Sequence, residues 1–99
     1  MMTQQPKDMP IVVVTTKKQL QDLFKETMAL YGPECDLNFI DVYQITDMSK
    51  LFVKSKFNGD ISQWNVSKVT NMRGIFKESA LESSKKIPLW HSSKKKKGK

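Results

Sequence analysis

Few side chains in this 99-residue chain have the chemistry of a catalytic site. The single histidine, His91, has no serine or cysteine nucleophile motif around it. The single cysteine, Cys35, has neither a histidine nor a basic pair beside it, so it reads as a structural or incidental thiol, with a reactive thiol as the alternative. Carboxylates could pair for acid–base work at Asp41 and Asp47, or at Asp60 with a neighbour. No cysteine or histidine cluster has metal-ligand spacing, and Asn58-Gly59-Asp60 is too short for a calcium loop. The sequence thus predicts a protein that is not an enzyme and holds no cofactor and no metal.

Charge offers the other chemistry. Residues 1–82 carry 10 basic and 10 acidic side chains, whereas residues 83–99 carry 7 lysines and no acid, which is the entire +7. Lys85, Lys86, Lys94, Lys95, Lys96, Lys97 and Lys99 are therefore the candidate phosphate-binding residues, suited to weak, salt-sensitive attachment to nucleic acid or an anionic membrane. A solubilising tail is the plain alternative, since no stripe of basic and aromatic residues runs along the chain ahead of it.

The elements that must position these groups follow from an internal repeat. Moving residues 37–55 forward by 24 places Leu37, Ile40, Val42, Ile45, Met48, Leu51 and Phe52 on Ile61, Trp64, Val66, Val69, Met72, Ile75 and Phe76. Asp41 falls on Asn65 and Asp47 on Asn71; a position that takes either residue is used for its side-chain oxygen, as in caps and turns. A fixed period of this size marks units that bury their apolar faces only by stacking. In each unit the first half has the spacing of a leucine-rich-repeat strand, and the second, with Val69, Met72, Ile75 and Phe76 at i, i+3, i+6 and i+7, that of a short helix. Thr46-Asp47 and Thr70-Asn71 are placed to cap those helices. Gly59, in the link between units, is expected to supply a positive φ. Asn58-Gly59 between apolar runs would by itself signal a β-hairpin, but the repeat argues against one.

The strings Leu-Asn-Phe-Ile-Asp-Val and Ile-Thr-Asp-Met-Ser (within residues 37–49), and Phe-Asn-Gly-Asp-Ile-Ser-Gln-Trp-Asn-Val-Ser-Lys-Val-Thr-Asn-Met (residues 57–72), resemble the BspA-like bacterial repeat family. The resemblance spans about residues 17–79 and implies a leucine-rich-repeat-like array. It also implies a surface or adhesion role, although many members of that family have no assigned activity.

Ahead of the repeats, Pro10-Ile11-Val12-Val13-Val14 reads as a short strand. Thr16-Lys17-Lys18-Gln19 has the spacing of a capping box and starts a helix whose apolar stripe is Leu20, Leu23, Phe24, Met28 and Tyr31, ended by Gly32-Pro33. Behind them, Ile87 and Trp90 repeat the spacing of Ile61 and Trp64; Trp90 is read either as a cover on the last unit or as an exposed contact residue. Residues 1–9 do not read as a secretory signal, no apolar run is long enough to span a membrane, and a lone cysteine suits a reducing compartment, so a cytoplasmic protein is expected.

The expectation is an α/β chain: a short leucine-rich-repeat-like solenoid with an N-terminal strand–helix cap. Its parts are a flexible N-terminus (1–9), the cap (10–36), two repeats (37–82), and a degenerate third repeat start with a basic tail (83–99). The expected function is protein–protein interaction with a protein partner whose identity the sequence does not give. Asn38, Gln63, Asn65, Lys68, Arg73 and Trp90 are the candidate partner-binding residues, and an open last repeat would allow an edge-to-edge homodimer. Electrostatic binding through the lysine tail is the alternative.

Overall fold

The structure, a computed structural model, describes residues 4–91. Its first element, β1 (Val12–Val13), pairs in parallel with β2 (Ile40–Asp41), Val12 opposite Ile40 and Val13 opposite Asp41. The 10–14 strand expected from β-branching is thus hydrogen-bonded as a ladder only over its middle. Between the two strands runs α1 (Lys17–Tyr31), and it starts where the capping box places it. The Thr16 hydroxyl accepts the Gln19 N–H at 3.1 Å, and Gln19 Oε1 accepts in return from the N–H groups of Thr16 and Thr15 at 3.3 and 2.7 Å. Three amides at a helix start that would otherwise lack partners are satisfied by two side chains. The helix ends at Gly32, whose φ of 95° and ψ of 170° suit glycine alone. It lays Leu20 and Phe24 into the core, with Leu23, Met28 and Tyr31 packed at its margin.

The two repeat units lie beside each other in register. Asp36 bridges Asp60 and Asp47 bridges Asn71, both in parallel and both joining equivalent positions of the repeat. Along the second half of the unit, N–H groups reach across in alternation: Met48 to Asn71 O (2.9 Å), Lys50 to Arg73 O (3.0 Å), Phe52 to Ile75 O (2.9 Å) and Lys54 to Lys77 O (3.0 Å). The intervening N–H groups of Leu51, Val53 and Ser55 close local turns on the carbonyls of Met48, Lys50 and Phe52. Aiming alternate amides outward requires left-handed residues, and these recur with the repeat. Lys50 and Lys54 have φ of 57°, and their equivalents Gly74 and Glu78 have 66° and 57°.

This arrangement replaces the short helices that the spacing predicts over Val69 to Phe76 and its counterpart. In a helix every amide returns to its own turn. Here alternate amides of the first unit, and alternate carbonyls of the second, serve the neighbouring unit instead, and residues 49–54 and 73–78 are consecutive turns. The short helix α2 (Ala80–Ser83) follows the second unit, with Ser79 Oγ capping the Glu82 N–H at 3.1 Å.

Phe52 sits at the centre of the core. Its ring lies 4.9 Å from Phe24, 5.3 Å from Phe57, 5.7 Å from Phe76 and 6.0 Å from Trp64. Phe52 and Phe76, repeat equivalents, are within 6° of parallel. Such offset stacks add about 0.5–1.5 kcal/mol per pair to the area they bury.

Gly59 does not take the positive φ expected of it; a close approach is what demands glycine. A Cβ there would stand 1.8 Å from the carbonyl oxygen of Cys35, on the strand-like crossing where Asp60 N–H donates to that oxygen at 3.3 Å. No hairpin forms around Asn58-Gly59: the Asn58 N–H goes to Pro33 O at 2.6 Å. No helix among the described residues is long and apolar enough to cross a membrane.

Candidate functional site

The carboxylates that could have been paired for acid–base chemistry each hold a turn. Asp36 accepts from Asn38 N–H (2.8 Å), Asp41 from Tyr43 N–H (3.0 Å), Asp47 from Ser49 N–H (2.8 Å) and Asp60 from Ser62 N–H (2.9 Å). Asn65 and Asn71 do the same for Ser67 and Arg73 at 3.1 and 3.0 Å. All six are turns in which a side chain accepts from the backbone two positions on, and they fall in three pairs of repeat equivalents. Each is followed by a turn whose first and fourth residues point inward. Ile40 N–H reaches Leu37 O, Ile45 reaches Val42 O and Leu51 reaches Met48 O; Trp64, Val69 and Ile75 repeat this onto Ile61, Val66 and Met72. One unit is therefore three copies of Asp/Asn-apolar-x-x-apolar, with the two x residues at the tip of the turn; these face solvent in most copies, but Phe39 turns into the core. The sequence reading caught the Asp/Asn exchange but assigned Asp47 and Asn71 to helix caps.

These hydrogen bonds hold two carboxyls below the usual carboxylate range. For Asp47 the causes are the hydroxyl and N–H of Ser49, with Lys17 Nζ at 3.8 Å a lesser one. For Asp60 they are the N–H of Ser62, then the Asn38 amide and the Ser62 hydroxyl. Groups kept ionised this way are poor proton donors or acceptors near neutrality. Cys35 is buried, and burial pushes its thiol up to about 11, away from the thiolate that reacts.

The candidate partner-binding residues divide. Asn38 and Gln63 are brought together, the Asn38 amide oxygen accepting Gln63 N–H at 2.9 Å, which spends part of Asn38 on joining the two units. Asn65 is spent on the Ser67 N–H and hydroxyl. Lys68 sits over the ring of Tyr43 at 4.7 Å, a cation–π contact between adjacent tips that the sequence reading missed, although Tyr43 and Ser67 are repeat equivalents. Gln63 and Arg73 both stand exposed at tips. Trp90 is half-buried: it stacks on Trp64 at 6.2 Å, and its indole N–H donates to Ile61 O at 2.8 Å. Trp64 makes the same bond to Leu37 O at 2.9 Å, so Trp90 covers the second unit as Trp64 covers the first, despite a spacing of 26 instead of 24.

Of the candidate phosphate-binding lysines, Lys85 is exposed, and Lys86 Nζ donates to Asn58 O at 2.9 Å. Lys94, Lys95, Lys96, Lys97 and Lys99 lie outside the described residues. One further feature had no signal in composition. Beyond the second unit opens a groove of about 570 Å³, lined by Met72, Gly74, Phe76, Glu82, Ile87 and His91 among others.

Compared with known proteins, residues 15–98 match a family model described as "Mycoplasma protein of unknown function, DUF285". No curated protein and no solved structure matches the chain.

Proposed function

Since this chain belongs to the DUF285 family of Mycoplasma proteins of unknown function, its role has to be argued from its surfaces, and we propose that it is a non-catalytic protein-interaction module built on a short repeat solenoid. The observation that supports this most directly is the alternating ladder of hydrogen bonds between residues 48–54 and 71–77. It spends the polar groups of the repeat on stacking and leaves solvent-facing tips, with Gln63, Lys68 on Tyr43, and Arg73, as the surface a partner would meet. The repeat period and the Asp/Asn turns also support reading the chain as a short BspA-like array, working in the cytoplasm, where buried Cys35 stays a thiol.

The lysine-rich tail supports a second reading, electrostatic binding of nucleic acid or an anionic membrane, because the whole +7 lies in residues 83–99. Salt separates the two. The test is affinity capture with the full chain and with a variant carrying serine at Lys94, Lys95, Lys96, Lys97 and Lys99, each at low and moderate salt. A discrete protein retained by both through moderate salt supports the interaction module. Nucleic acid or lipid captured only by the unaltered chain, and released by salt, transfers the function to the tail.

A further inference from the structure

The ladder that joins the two units is open at its far end. In the first unit the N–H groups of Met48, Lys50, Phe52 and Lys54 donate to the second. Their repeat equivalents are the N–H groups of Met72, Gly74, Phe76 and Glu78. Among the described residues, the first three meet no acceptor. The fourth donates to the Glu82 carboxylate at 2.9 Å, so a side-chain oxygen from α2 stands where the carbonyl of a following unit would be. The residues that carry the three open donors line the groove together with half-buried Ile87, while the Phe76 ring itself is buried, with Trp90 and His91 against it at 6.1 and 5.1 Å. The carbonyls of Asn71, Arg73, Ile75 and Lys77 face the other way, into the first unit, and those of Met72, Gly74 and Phe76 accept from Ile75, Lys77 and Ser79. Among the described residues, this end of the stack is therefore a row of donors without acceptors.

Resting on the interaction-module reading above, we propose that this groove docks an extended segment of a partner polypeptide that supplies alternate carbonyls to Met72, Gly74 and Phe76 and lays an aliphatic–aromatic pair against the groove wall at Met72 and Ile87. The molecule contains the template for that occupant. One unit earlier the equivalent donors are covered by Asn71-Met72-Arg73-Gly74-Ile75-Phe76-Lys77, with Ile75 and Phe76 buried. A peptide adding to an open edge gains affinity from main-chain bonds and selectivity from its side chains.

Two other occupants fit less well. A second copy related by a two-fold axis would set donors against donors. Offered head to tail, its first unit is covered by α1: Lys17 Nζ holds Ser49 O at 2.9 Å and Phe24 lies on Phe52 at 4.9 Å. The chain's own residues 92–99 are Ser-Ser-Lys-Lys-Lys-Lys-Gly-Lys, with no apolar side chain for the groove and a charge that Arg73 and Lys77 beside it repel.

The test uses the full chain labelled for amide NMR and a synthetic peptide of residues 70–79, Thr-Asn-Met-Arg-Gly-Ile-Phe-Lys-Glu-Ser. In the chain alone, the amides of Gly74 and Phe76 should exchange fast while those of Lys50 and Phe52 are protected. Saturating peptide should shift Met72, Gly74 and Phe76 and raise the protection of Gly74 and Phe76 on the order of tenfold or more. A peptide with serine in place of its Ile and Phe should do neither. Slow exchange at Gly74 and Phe76 without peptide overturns the proposal: if independent of concentration it assigns the groove to the chain's own residues, and if concentration-dependent, to a second copy. No response to the peptide also overturns it. Salt-resistant capture of a discrete protein that survives Ile87→Asp in the groove wall would then leave the interaction module standing without this groove.

Discussion

Asp60 shows how one repeated position carries a titratable group with no catalytic task. Its carboxyl is held low by the Ser62 N–H, the Asn38 amide and the Ser62 hydroxyl. A group whose folded pKa is depressed contributes stability that is complete above its unfolded value, about 3.9, and is lost as pH falls through the folded value. The unaltered chain should therefore lose melting temperature on acidification below about pH 4. In Asp60→Asn that loss should be smaller, while the melt at neutral pH stays close to the original, because Asn65 and Asn71 hold the same turn without charge. Thermal melts from neutral pH down to about pH 2.5 check this; parallel curves for the two chains would refute it. Two glycines make a second comparison. Gly59→Ala must displace the Cys35 carbonyl and should cost about 1–3 kcal/mol or more, as overpacking does. Gly74→Ala, with φ of 66°, meets only an ordinary contact with Lys50 Cγ at 3.6 Å and should cost about 1–2 kcal/mol for a left-handed alanine. Urea denaturation of both variants ranks them. Gly59 is singled out in the sequence for a positive φ that it does not take; its actual reason is not visible there, because a carbonyl 24 residues earlier, at the end of the cap, cannot be seen from the local string.

At the level of elements, α1 was the most legible part: Thr16, Gln19 and Gly32 are local signals, and local signals survive translation into structure. Thr16→Ala should cost about 1 kcal/mol, detectable in the same denaturation curves. The second half of each unit was not legible as turns. Its apolar spacing is that of a helix, and what excludes one is where the amides of Met48, Lys50, Phe52 and Lys54 find acceptors, which depends on carbonyls in the following unit. A clue existed in the alignment of Lys50 with Gly74, since glycine at one copy of a repeated position points to positive φ at the other. Lys50→Gly removes a left-handed non-glycine strain of about 1–2 kcal/mol against a similar gain in unfolded-chain freedom, so its net effect should lie within about 1 kcal/mol of neutral. A helical backbone at this site would instead make Lys50→Gly plainly destabilising.

Across the whole molecule, stability is concentrated in a column of rings. Phe52 touches the cap helix through Phe24, the link through Phe57 and the second unit through Phe76 and Trp64. Phe52→Ala should cost about 3–5 kcal/mol, and Trp64→Ala as much, with the loss of its bond to Leu37 O adding to the cavity. For a domain whose total is about 5–15 kcal/mol, either change should leave a large unfolded fraction, seen as a lost or strongly lowered circular-dichroism transition. The repeat period was legible from the outset, and so were most of the buried residues it aligns. The candidate site was less so. Asn38, Asn65 and Trp90 are polar or aromatic for structural reasons that lie in turns and between units, and the donor row at Met72, Gly74 and Phe76 is backbone, to which side-chain patterns are blind.

The bridging of Asp36 to Asp60 and of Asp47 to Asn71, each to its equivalent one unit later, also bears on ancestry. A unit receives its neighbour mainly through backbone groups, with Asn38 and Trp64 adding side-chain bonds at repeated positions, so copying the gene segment for one unit in frame would insert a layer that carries its own joints. Loss of a layer by the reverse event would be equally silent at the joints. Whole layers are thus the unit in which such a chain would lengthen or shorten at least cost, whereas an insertion or deletion inside a layer would throw the ladder between units out of register.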